Sequence, residues 1–154
     1  MEDKKKTDNL IQYGLKTIHV NKYSYTMPIR KVAEDEKIGF NYNITPNVKY
    51  NLKENLILVF MQIDIVIRET TEKLVEAEFA FIYSANDLNS FVELEEETQI
   101  WKFKDEKNEG LIVTLIGVSL STARGILFEK TRGTIIESGP LPIMNPSVFV
   151  KKAK

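Results

Sequence analysis

Serine, lysine and glutamate are plentiful in this sequence, but the side chains that most often move a proton, hold a transition metal or attack a carbonyl, histidine and cysteine, are nearly absent. Histidine occurs once, at His19, and cysteine does not occur. An imidazole is the usual proton carrier near neutral pH. His19, however, sits among alternating polar and apolar residues, with no second histidine, thiol or carboxylate pair at ligand spacing. It reads as a strand residue, packed or solvated like its neighbours, and a transition-metal site is not expected. Without cysteine there are no disulfides, thiolate ligands or thiol nucleophile, and nothing suggests an oxidising compartment. Glu93, Glu95, Glu96 and Glu97 form an acidic run. That run lacks the alternating oxygen ligands and central glycine of a calcium loop, so it reads as a solvated face. Gly133 and Gly139 make no phosphate-cradling pattern, G-x-S-x-G is absent, and spacing pairs no nucleophile with a base. The expectation is a protein that is not an enzyme and needs no cofactor.

Function then falls to surfaces, and composition bounds which kind. Lys and Arg number 21 against 22 Asp and Glu, a net charge of −1. Nucleic-acid binders usually carry a clustered basic surplus. Here lysines cluster only at the ends, at Lys4–Lys6 and at Lys151, Lys152 and Lys154, where they read as solvated termini. Nucleic acid is not an expected partner. A chain of 154 residues that is 43% hydrophobic and 28% charged suits one compact domain with a real core. Residues 1–9 read as a disordered tail and 10–150 as a single domain. Met1–Asn9 has no apolar signal core. The longest apolar run, Leu56–Met61, is far short of the roughly 20 residues that span a bilayer. The expected location is the cytoplasm, without membrane insertion.

The elements that would present such surfaces follow from periodicity. Ile18, Val20, Tyr23 and Tyr25 mark a strand over Thr17–Thr26, ended by Met27-Pro28. A charged loop over Arg30–Lys37 leads to a second extended stretch, Ile38–Leu52, in which Pro46 predicts a break or bulge. After a turn at Lys53–Asn55, Ile57, Val59, Met61, Ile63, Ile65 and Ile67 form one apolar face of a strand over Leu56–Glu69. Thr70–Glu72 closes a hairpin into Lys73–Ser84. There Val75, Ala77, Phe79, Phe81 and Tyr83 point one way, and Leu74, Glu76, Glu78, Ala80 and Ile82 the other. Asp87–Ile100 predicts a loose helix or crossover. Leu111–Lys130 predicts a long helix whose stripe is Leu111, Leu115, Val118 and Thr122, flanked by Ile112, Ile116, Ala123 and Ile126. Gly133 is its stop, and a short helix is expected after Asn145-Pro146. Strands followed by helices, without βαβ alternation, give an α+β class: a four-stranded antiparallel sheet with a long helix and a short C-terminal helix packed on one face.

Gly117, Ser121 and Gly125 fall four apart on the long helix, on one strip where another backbone can approach closely. The alternatives are a helix–helix subunit contact and merely weak helix-forming surface, costing about 1 kcal/mol per Gly relative to Ala.

Three separated stretches resemble the SecB protein-export chaperones. Ile18–Pro28, reading I-H-V-N-K-Y-S-Y-T-M-P, is similar to that family's opening strand. Pro46–Leu52 looks like its second strand. Ala123-Arg124, Arg132-Gly133-Thr134, Pro142 and Phe149 resemble its long helix, Gly-Thr exit and proline-led final helix. The resemblance implies a non-enzymatic, ATP-independent holdase for unfolded polypeptides, tied to protein export and assembled as a homo-oligomer, a dimer of dimers. It also implies that Val48, Tyr50 and Leu52 line a client groove, and that Leu74 and Glu76, an apolar–acidic pair taken as outward-facing, dock an export translocase ATPase. Ordinary strand packing and solvated strand surface are the respective alternatives. Trp101, with Phe103, either covers the groove or anchors its own segment. The sequence departs from the family at Asp87–Gly110, where Cys-Pro and Leu-Phe-Pro signatures are missing, and at its basic C-terminus. Some SecB-like proteins instead guard an antitoxin, and an interaction or assembly protein on the same fold is the further alternative.

Overall fold

The computed structural model describes residues 11–137, 139 and 141–150. The expected N-terminal tail and the basic terminus at Lys151–Lys154 lie outside the described residues.

Four long strands, β1 (Tyr13–Tyr25), β2 (Phe40–Asn51), β3 (Leu56–Ile67) and β4 (Lys73–Ala85), form one antiparallel sheet in the order β1-β4-β3-β2. Alternation fixes its two faces. Ile57, Val59, Met61, Ile63, Ile65 and Ile67 of β3 are each at most 1% exposed, as are Val75, Ala77, Phe79, Phe81 and Tyr83 of β4. Full burial of a large aliphatic or aromatic side chain is worth about 1.5–3 kcal/mol, so this inner face supplies most of the drive to form the sheet. Asn55 adopts a left-handed φ of 55° in the tight turn between β2 and β3. Its Oδ1 accepts the Leu88 N–H at 2.9 Å, and its carbonyl accepts that of Ala85 at 2.9 Å, pinning the hairpin to the end of β4.

The first strand begins four residues earlier than its apolar pattern predicts, because Tyr13 and Leu15 still pair with Ala85 and Tyr83. The expected break at Pro46 does not occur: β2 and β3 stay in register from Phe40 to Asn51. The reason lies at the end of the ladder. Arg68 donates its N–H to the carbonyl of the residue opposite, Gly39, at 2.9 Å. Odd-numbered residues of β2 therefore bond β3, and even-numbered ones aim N–H and C=O at the open edge. Pro46 is even-numbered, so its missing donor costs the sheet nothing.

Leu74 corrects another expectation. It is 1% exposed, in the core, and does not lie beside Glu76 on the outer face. The β3–β4 register shifts where Ile65 pairs with Val75 but Val66 pairs with Lys73. The extra residue turns both Leu74 and Val75 inward.

Beyond β4 the expected loose helix is instead a one-turn helix, α1 (Leu88–Phe91), and a small hairpin of β5 (Val92–Glu95) and β6 (Ile100–Phe103). Lys102, opposite Glu93, lies 3.8 Å from that carboxylate and 3.2 Å from Glu95, offsetting the acidic run. Val92 and Phe103 pair across the ladder and are buried.

The long helix, α2 (Glu109–Lys130), packs on the inner face, and the last, α3 (Ser147–Val150), follows Asn145-Pro146 as expected. The Asn145 Oδ1 accepts the Ser147 N–H at 3.0 Å, capping α3. The predicted stripe of α2 is rotated. Leu111, Leu115, Ile116, Ser119, Leu120, Ala123 and Leu127 are buried, while Val118 is 42% exposed. An anchor from the sheet accompanies the rotation: the Tyr83 hydroxyl lies 2.8 Å from Ser119 Oγ and 3.3 Å from the Leu115 carbonyl. The helix is apolar on nearly every side, so its own pattern does not select a face. By length and composition it also meets the criterion for a bilayer span, although its buried face here is a core contact with the sheet.

Candidate functional site

The second half of β2, the tip of the small hairpin, the first turns of α2 and the last turn of α3 surround one open groove of about 550 Å³. Val48 and Tyr50 enter it from β2, Ile100 and Trp101 from β6, Ile112 and Ile116 from α2, and Phe149 from α3. Tyr50 stands edge-on to Phe103, ring centroids 6.1 Å apart at 89°. Burial pushes its phenol up to about 12, so the hydroxyl stays neutral at any ordinary pH and remains a hydrogen-bond donor. Among the described residues, Lys49 is the single charged member of the lining. Its Nζ lies 5.5 Å from the Phe60 ring centroid on the sheet's outer face.

Consecutive residues from Pro46 to Tyr50 all line this groove. Side chains of one strand face alternately up and down, so an unbroken run means that the groove reaches the backbone edge of β2 itself. Pockets for small molecules usually hold convergent polar groups; here Gln99 and Asn47 are the polar, uncharged members, and the rest is chiefly aliphatic and aromatic. Among the described residues, no cluster of three His, Asp or Glu is placed to hold a metal ion.

Of the residues singled out from sequence, Val48, Tyr50 and Trp101 are brought together on this groove, whereas Leu52 lies outside its lining. Leu52 is half-buried against the core, and its carbonyl accepts the Asn89 Nδ2 at 3.3 Å. Glu76 lies on the opposite face of the sheet. Its carboxylate is 2.8 Å from Lys22 Nζ, and the hydrogen bond from that lysine lowers its pKa. Leu74 is separated from it by burial. His19, opposite Ala80 on the same outer face, is exposed.

The glycine strip is divided. A Cβ on Gly117 would meet Pro146 Cγ at 3.2 Å, so this glycine serves close packing of the chain's own C-terminal segment against α2. Ser121 lines the cavity of about 590 Å³ between that segment and the helix. Gly125 faces open space, with nothing within 4 Å of its Cβ position. Sequence reasoning missed Ile112 and Ile116 as groove residues. Their spacing of four places them on one helix face, but the same spacing marks the core stripe.

No protein-family profile matches the chain, and no curated protein sequence matches it. Solved structures do. The SecB-like chaperone Rv1957 of Mycobacterium tuberculosis, solved in complex with a ChAD peptide from the Rv1956 HigA1 antitoxin, aligns with a TM-score of 0.58 at 12% identity, over 86% of this chain and 89% of that one. A protein of unknown function from Streptococcus agalactiae aligns with a TM-score of 0.36 at 14% identity, over 88% and 96% respectively, too low to bear on the fold. With its antiparallel sheet, long helix and short C-terminal helix, this chain has a SecB-like fold.

Proposed function

We propose that this protein is an ATP-independent chaperone that holds unfolded polypeptide in the groove between β2, β6, α2 and α3. One observation carries the reading: an open, chiefly apolar channel with a single charge among its described lining residues, reaching a strand edge. Such a site meets many sequences through apolar contact and backbone, and it needs no reacting group. A solved protein of the same fold holds a peptide from an antitoxin, which supports a polypeptide ligand here.

Of the two pathways, the antitoxin-guarding role is favoured over export. Docking to an export translocase ATPase would rest on Leu74 and Glu76 acting together, and Leu74 is buried in the core. The proposal includes a cytoplasmic location and a homo-oligomer. A dimer of dimers through α2 fits the exposed Val118 and Phe128 and the open Gly125.

Calorimetric titration with a slow-folding precursor, denatured and then folded, tests the reading. Binding of the denatured form alone is expected, weakened at least tenfold by Ile100→Asp or Trp101→Ala. Ile100 is 58% exposed, so its variant folds. Equal binding to both forms, or to neither, would overturn the chaperone reading in favour of an assembly protein.

A further inference from the structure

The alternation along β2 carries the groove's chemistry further than its side chains do. Because Gly39 pairs with Arg68 through a hydrogen bond and the register is unbroken to Asn51, Asn47, Lys49 and Asn51 spend their backbone groups on β3. Pro46, Val48 and Tyr50 aim theirs at the open edge. An independent contact agrees: Ala85 donates to the Asn55 carbonyl, so odd-numbered residues on the β3 side of the hairpin bond β4, leaving even-numbered ones for β2. Among the described residues, no backbone hydrogen bond outside the β2–β3 ladder involves Val48 or Tyr50. Both residues line the groove. It therefore contains two N–H donors and three carbonyl acceptors in strand geometry, counting that of Pro46.

We propose, resting on the chaperone reading above, that the groove binds an extended polypeptide segment by strand addition to the Val48–Tyr50 edge of β2, with Pro46 ending the ladder. Side chains then confer preference. A strand paired there turns every second residue toward Trp101, Ile116 and Phe149, which calls for apolar residues at alternate positions. Among the described residues the lining's one charge is Lys49, whose ammonium stands over Phe60 on the outer-face side of the same strand edge. Charge complementarity therefore favours a segment with acidic residues at its flank over a basic one. Pro46 limits the pairing to a few residues, so the segment is held without being zipped along the whole edge.

Residue-resolved amide exchange of the full chain tests this, with and without a reduced, carboxymethylated protein that cannot refold. In the free protein Asn47, Lys49 and Asn51 are expected to exchange slowly, and Val48 and Tyr50 quickly. On client binding the Val48 and Tyr50 amides should slow at least tenfold. Val48→Pro removes one outward donor without touching the bonds to β3, as Pro46 already does two residues away. It should weaken client binding about fivefold beyond Val48→Ala, the weight of one hydrogen bond in a binding constant. An acidic-flanked host peptide should bind more tightly than its basic-flanked counterpart, with the gap closing as salt rises. Calorimetric binding with unchanged exchange at Val48 and Tyr50 would overturn strand addition while leaving the groove reading standing. No binding to any unfolded client overturns both.

Discussion

Replacing Tyr50 with phenylalanine should change how the protein responds to alkali more than how it behaves at neutral pH. The Tyr50 phenol is raised from 10 to about 12 by burial beside Phe103. The folded state thus favours the neutral form. Above pH 10 the unfolded chain ionises this group while the folded chain does not. Its contribution is accordingly complete below pH 10 and is lost as pH rises through the folded value. A rise of two pH units corresponds to about 2–3 kcal/mol in full, of which about 2 kcal/mol should be gone by pH 11.5. Urea denaturation followed by Trp101 fluorescence at pH 9, 10, 11 and 11.5 gives stability for both proteins. Burial also raises Tyr23, Tyr42 and Tyr83, so both proteins should weaken in alkali. The difference between the two profiles isolates Tyr50, with the phenylalanine variant falling less. Parallel profiles would refute the reasoning: the hydroxyl would then be solvated and the groove wet around it.

Two further outcomes test the packing. Leu74→Ala should cost about 2–5 kcal/mol in urea denaturation as a core truncation, while Glu76→Gln, at an exposed ion pair, should move the midpoint little; similar small effects would return Leu74 to the surface. The chain has no cysteine, so Gly117→Cys with Pro146→Cys introduces a single possible intramolecular disulfide. The 3.6 Å between the Gly117 Cβ position and Pro146 Cβ falls in the range such bonds require. Closing a loop of roughly 30 residues should stabilise the oxidised form by about 3–4 kcal/mol, reversed by reductant. Thiols that stay free on oxidation would mean that the C-terminal segment does not lie on α2 as described.

What was legible in the sequence was whatever one period decides alone. Ile57 to Ile67 repeats an apolar side chain at every second residue, and that run gave β3, its covered face and, with β4, the antiparallel class. Ambiguity began where two signals competed. Pro46 carries a breaking signal, but its effect depends on which way its nitrogen faces, and that is set by register against β3. Leu74 obeys alternation until a bulge adds a residue, which no period announces. In α2 nearly every side is apolar, so the face chosen is specified by a partner, Tyr83, distant in sequence. The glutamates at 93, 95, 96 and 97 hid a hairpin because Lys102, across the ladder, offsets part of their repulsion. The groove was half legible: Val48, Tyr50 and Trp101 were named, while the helix residues facing them looked like core.

The strand order has a consequence for how the sheet is assembled. β2, β3 and β4 follow one another through short hairpins, and each can find its neighbour locally. β1 must pass over both to reach β4, where Tyr25 meets Val75, closing the longest loop in the sheet. Closing such a loop costs entropy before any pairing offsets it, which places β1 late in assembly; its substitutions should then show mainly as faster unfolding. Until it arrives, the edge of β4 that later pairs with β1 stays open from Val75 to Ala85. A protein read as a keeper of unfolded chains would, during its own synthesis, briefly present the same kind of sticky edge that it guards in others.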